Sequence, residues 1–129
     1  MPVQVVQLGT PRLPEEGLRI GTVRRPPRGV FKSAFAALNY YDVWLPLLAP
    51  SEELRKLGQA VKSEKEWRIF ARRYRTEMDQ TDKRSVLDLL AALSRETNFS
   101  VGCYCADQQR CHRSLLREFL KERGSVFAG

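Results

Sequence analysis

The stretch that decides the fold is "FSVGCYCADQQRCHRSLLREFLKERG", residues 99–124. Its first half alternates: Phe99, Val101, Cys103 and Cys105 fall on one side, Ser100, Gly102 and Tyr104 on the other. That period of two is a strand's. "ADQQR" (106–110) is a polar turn, and from Cys111 the apolar residues Leu115, Leu116, Phe119 and Leu120 recur at helical spacing up to Gly124. The unit is strand, turn, helix. It holds all three cysteines of the chain and its only histidine.

Working outward, "VQVVQL" (3–8) and "LRIGTV" (18–23) read as two further strands, separated by the turn-forming "TPRLPEEG" (10–17). "RRPPRGVFKSAF" (24–35) is irregular and cationic through Arg24, Arg25 and Arg28. "ALNYYDVWLPLLAPS" (37–51) has no clean period, and its prolines break any helix, so it reads as a largely buried connection with at most a short helical turn. Ser51 is placed to cap a helix over "EELRKLGQA", and "SEKE" (63–66) has the form of a capping box. Behind that box Trp67, Phe70, Ala71, Tyr74 and Met78 make an apolar stripe, which reads as core, with Arg68, Arg72, Arg73 and Arg75 on the solvated side. A third helix is expected over 82–95.

Strands separated by helices imply parallel pairing. The expected fold class is therefore α/β: a small three-layer sandwich, Rossmann-like, with a mainly parallel sheet and helices on both faces. A chain of 129 residues forms one domain, 1–129. "MPVQVVQLGT" has no signal-peptide pattern, and "VWLPLLAP" is too short and proline-broken to span a membrane, so a cytoplasmic protein with no membrane partner is expected. Three cysteines is an odd number, and reduced thiols are the rule in that compartment, so a structural disulfide is not expected.

The chemistry follows from position. Ligands of open α/β sheets bind beyond the carboxyl ends of strands, and helix N-termini attract anions. Cys105 and Cys111 are the candidate reactive thiols, with His112 as acid/base or anion ligand and Asp107 as its orienter. Cys111 and His112 are adjacent and meet only if Cys111 is the non-helical cap residue. Arg24, Arg28 and Arg113 are the candidate anion ligands. Two familiar cysteine motifs do not fit Cys103 and Cys105. The phosphatase cradle needs an arginine six residues after the cysteine, where Cys103 and Cys105 have Gln109 and Cys111, and "CYC" is one residue too short for a thioredoxin-type pair. Zinc is the rival chemistry, since three thiols and an imidazole can supply four ligands. The spacing is not a standard zinc pattern, so no metal and no cofactor are expected. Burial on a core strand is the bland alternative for Cys103.

A net charge of +7, mostly arginine, suits an anionic small molecule as partner. The same charge fits a non-catalytic basic module binding nucleic acid or protein. No helix-turn-helix, zinc finger or stacking platform is visible, so nucleic-acid binding is expected to be weak and salt-sensitive.

The chain also resembles a bacterial and archaeal family, domain of unknown function 488, in its short YeaO-like branch. The likeness runs from Leu18 to about Gly124, through "PRGV" (27–30), "WLPLLAPS" (44–51), "EWRIFARRYRTEM" (66–78) and above all "CYCADQQRCHRSLL" (103–116). The resemblance puts Cys105, Asp107, Cys111, His112 and Arg113 on the family's cysteine, acidic and Cys-His-Arg positions, and Pro27, Arg28 and Gly29 on its proline-arginine-glycine turn, with Arg24 on the arginine before it. It implies an α/β fold with a sandwiched sheet and assigns no activity. Val23 stands where the family usually has aspartate, Pro26 where it often has tryptophan, and Asp107 where glutamate is more usual. A role that needs the aspartate cannot operate here.

Overall fold

A computed structural model describes residues 3–105 and 111–127. Among these, a four-stranded parallel sheet runs in the order β1-β4-β2-β3, with β1 at Val3–Gln7, β2 at Leu18–Gly21, β3 at Val43–Trp44 and β4 at Phe99–Cys103. The last strand in sequence lies between the first two. Phe99 pairs with both Val3 and Leu18, so the carboxyl ends of β2 and β4 emerge side by side.

Helices α1 (Glu52–Gln59), α2 (Glu64–Met78), α3 (Thr81–Leu93) and α4 (His112–Glu122) all bury residues against one face of this sheet. Val3, Ile20, Phe99 and Val101 meet Leu54, Phe70, Tyr74, Leu87, Leu90, Leu116, Phe119 and Leu120 there. The helix starts are those the sequence marks. The Ser51 hydroxyl accepts from the Leu54 N–H and that of Ser63 from the Glu66 N–H. The Tyr74 hydroxyl, wholly buried, donates to the Leu48 carbonyl.

The second face is covered differently. The sequence reading puts helices on both faces; here segments 10–17 and 35–42 form the outer layer, and the helical piece leading into it is the 3-10 turn Lys32–Ala34. The reason is polar. Arg19 projects from β2 into this layer and is fully buried. Its guanidinium donates to both Glu16 carboxylate oxygens, to the Thr10 and Asn39 carbonyls and, at 3.4 Å, to that of Pro11. Ser100 on the neighbouring strand donates to Glu16 as well. A helix offers few free carbonyls along its side, whereas irregular chain can turn several toward one guanidinium. Gly21 makes room for this layer, because a Cβ there would stand 2.4 Å from the Tyr41 ring.

The edge strand β3 and the 3-10 turn Pro46–Leu48 lie in the stretch read as an aperiodic connection. Two exposed residues leave too little pattern for a strand to be read. Trp44 fixes the edge by donating its indole N–H to the Val23 carbonyl at 2.7 Å. No helix among the described residues is long and apolar enough to cross a membrane.

Candidate active site

Beyond the carboxyl ends of β2 and β4 lies a cavity of about 820 Å³. Several parts of the chain build it. The irregular turn after β2 contributes Arg24, Arg25 and Arg28, and the α1–α2 hairpin contributes Arg55, Trp67 and Phe70. The end of β4 and the start of α4 contribute Cys103, Cys105, Cys111 and His112. Tyr40 and Tyr104, in edge contact at 6.4 Å between centroids, form another wall. Four arginines and no carboxylate line the cavity among the described residues.

Those arginines are not equivalent. Arg25 and Arg55 both pair with Glu52, at 3.3 and 2.6 Å. Arg24 makes one long contact to the Pro50 carbonyl, and Arg28 is exposed with no partner among the described residues. Arg24 and Arg28 are therefore the charges left over for a ligand. Arg113 is placed otherwise: it is buried behind the wall, and its Nε has no hydrogen-bond partner among the described residues. Its charge reaches Cys105 and His112 from there. Asp107 lies outside the described residues.

Cys111 is the N-cap of α4, with φ −133° and ψ 151°. This extended conformation turns its side chain back toward its neighbour, and Sγ stands 3.8 Å from His112 Nδ1. The other ring nitrogen, Nε2, lies 2.8 Å from the Thr22 carbonyl. A carbonyl only accepts, so Nε2 carries the proton and Nδ1 presents its lone pair to Cys111. Burial holds His112 below the ordinary imidazole range, against the pull of the Thr22 bond, and it is neutral at pH 7. Tyr74 packs its ring edgewise on the imidazole at 5.7 Å. Thr22, unmarked in the sequence, is thus the residue that sets the tautomer.

The three thiols form one cluster. Cys103 and Cys111 are buried and Cys105 is exposed. The sulfurs of Cys103 and Cys111 lie within 4.8 Å of each other, and Cys105 stands at the cavity two residues past Cys103. Such a cluster carries one negative charge more readily than three, and it settles on the most solvated sulfur. Hydrogen bonds from Cys103 and Cys111, with the Arg113 charge, hold the Cys105 thiol well below the ordinary thiol range. The Cys103 thiol is pushed up, first by its bond to Cys105. That of Cys111 is pushed up to about 12, where the bond to Cys105, burial and the Cys105 charge outweigh the lowering effect of its bond with Cys103.

Adjacent residues on a helix point about 100° apart, which works against their sharing one metal ion. The cap conformation removes that obstacle: ligand atoms of Cys103, Cys111 and His112 all lie within 4.8 Å of one another.

Comparison with known proteins agrees with the motif in "CYCADQQRCHRSLL". Residues 3–124 match the family model described as the active DUF488-N3 subclade. No curated protein and no solved structure matches the chain. The match spans nearly the whole sequence, and the chain belongs to the family of domain of unknown function 488.

Proposed function

We propose that this protein is an enzyme acting on a phosphorylated or otherwise anionic small molecule, with Cys105 as nucleophile. The observation that carries the reading is the composition of one cavity: four arginines, no carboxylate among the described residues, and a single exposed thiol at the strand end. Arg24 and Arg28, not spent on ion pairs, are suited to hold the anion, and the N-terminus of α4 adds a partial positive charge.

In the proposed step a lone pair of Cys105 Sγ forms a bond to the electrophilic atom of the substrate. The bond to the leaving group breaks, and its electron pair departs with that group. The oxygen of a water then bonds to the same atom, the bond to sulfur breaks with its electron pair returning to Sγ as thiolate, and the proton lost by the water passes through solvent to the departed group. The buried Cys103 thiol and the Arg113 charge favour the thiolate on Cys105, and His112, neutral and fixed by Thr22, accepts the Cys111 S–H at Nδ1. Asp107 stays a candidate orienter from the sequence.

The test is iodoacetamide labelling of the native chain at neutral pH, mapped by mass spectrometry, with and without phosphate or pyrophosphate. Cys105 is expected to label and the anions to slow it severalfold. Replacing both Arg24 and Arg28 with Ala is expected to remove that protection. Labelling that ignores the anions overturns the reading. The alternative, a basic nucleic-acid module, needs a continuous arginine face on α2; there Arg75 is engaged by Glu122 at 2.9 Å and lies over the Phe119 ring. Binding of nucleic acid is expected to be weak and to fall steeply with salt.

A further inference from the structure

We infer that Cys103, Cys111 and His112 form a binding site for one soft divalent cation of the zinc type, with Cys105 closing the coordination shell and thereby blocking the nucleophile of the proposed reaction. Four observations carry it. The ligand atoms of the three buried residues already lie within 4.8 Å of one another. Tetrahedral zinc with sulfur at about 2.3 Å and nitrogen at about 2.0 Å needs ligand atoms roughly 3.6–3.8 Å apart. The Cys111–His112 pair stands at 3.8 Å, so the contraction required among these three residues is about 1 Å at most.

The second observation is the histidine. Its Nδ1 lone pair faces the cluster while Nε2–H is held by the Thr22 carbonyl at 2.8 Å. A backbone acceptor on the far nitrogen is how metal-ligating histidines are oriented. The third is Cys105: its sulfur falls outside that 4.8 Å group, but it is exposed on the wall of the same cavity two residues past Cys103, so it can swing in as a fourth ligand and marks a path of entry.

The fourth is charge. A divalent cation with three thiolates and a neutral imidazole carries a net negative charge. Arg113, Arg24, Arg28 and the N-terminus of α4 surround that position with positive charge. Thiolate and imidazole are soft donors, so the site discriminates against the oxygen-seeking magnesium and calcium.

The experiment uses the full chain, reduced and chelator-treated, titrated with Co²⁺ in phosphate-free buffer. The expected result is one ion per chain, with the visible bands of tetrahedral cobalt and the near-ultraviolet thiolate-to-cobalt charge-transfer band. Zn²⁺ should displace it. Cys111→Ser should weaken binding at least about tenfold, the lower end of what even outer-shell partners are worth. Cys105→Ser, at an exposed position, should keep the fold and lower the charge-transfer intensity. Zn²⁺ should also stop iodoacetamide labelling of Cys105, and chelator should restore it. Octahedral or absent spectra overturn the inference, as does a spectrum unchanged in the Cys105→Ser chain. The cobalt spectrum involves no anion and the phosphate-protection test no metal, so either idea can fail alone.

Discussion

Two buried polar clusters flank the same pair of strands, and they are built on opposite terms. On one face of β2 and β4, Arg19, Glu16 and Ser100 are closed on themselves. The Arg19–Glu16 pair is fully buried, and every guanidinium nitrogen of Arg19 has an acceptor. At the carboxyl ends of the same strands, Cys103, Cys111, His112 and Arg113 are buried too, yet Arg113 Nε has no partner among the described residues and two thiols and an imidazole crowd within 4.8 Å. The first cluster spends its hydrogen-bonding capacity on the fold. The second keeps some in reserve, beside a cavity. Buried charge alone does not mark function; unspent capacity next to an opening is the better sign.

The largest expected effect breaks the closed cluster. Arg19→Ala leaves the Glu16 carboxylate buried without its cation and two loops without their anchor. A loss of about 3–5 kcal/mol is expected, enough to lower the melting temperature by about 10 °C or more. Thermal denaturation of the purified chain reads it directly. A change under about 1 kcal/mol would mean that the polar face is not what ties segments 10–17 and 35–42 to the sheet.

Acid tests the same cluster without mutation. Burial works to raise the Glu16 pKa, but hydrogen bonds from Arg19, Ser100 and the Leu13 N–H, with the Arg19 charge, win and lower it to about 2. The folded value lies below the unfolded one, so the stabilisation is complete above about pH 4.5 and is lost as pH falls toward 2. A shift of that size is worth about 3 kcal/mol. Denaturant midpoints measured from pH 6 down to pH 2 should show that loss. In Glu16→Gln the acid limb should be flatter, on a chain already less stable.

Much of this fold is legible in the sequence because its signals are local. The alternation from Phe99, the caps at Ser51 and Ser63 and the stripe from Trp67 to Met78 each sit within one element. The second face is not legible in that way. Glu16 stands in a turn and Arg19 on a strand position that alternates outward, which reads as polar surface. Their burial follows from carbonyls of residues 10, 11 and 39, brought together only by the tertiary fold. The site divides the same way. Cys105, Cys111, His112, Arg24 and Arg28 announce themselves by residue type, and the structure lines one cavity with them. Thr22, Arg55 and Trp67 do not, because a threonine, a helical arginine and a core-stripe tryptophan carry no local mark of the cavity they share or support.

An intermediate effect is expected where the apolar core meets the open cluster. Tyr74→Phe keeps the ring against His112 and removes the hydroxyl bonded to the Leu48 carbonyl. The buried carbonyl then loses a partner, at a cost of about 1–2 kcal/mol in denaturant unfolding. A neutral result would show that water or a shifted donor replaces the hydroxyl, and would move this boundary from the closed kind of cluster to the open kind.

The smallest expected change in stability sharpens the comparison most. Cys105 is exposed, lies past the last residue of β4, and takes no part in either apolar cluster. Cys105→Ser is therefore expected to unfold within about 0.5 kcal/mol of the parent chain, as surface substitutions do. The same change removes the one exposed thiol, so native-state labelling should vanish while Cys103 and Cys111 label only after denaturation. Stability and reactivity would then come apart at a single residue, as an open cluster requires and a closed one forbids. If instead Cys105→Ser costs as much as a core substitution, the sulfur is a structural partner of Cys103 and Cys111. The two clusters would then differ in chemistry but not in purpose.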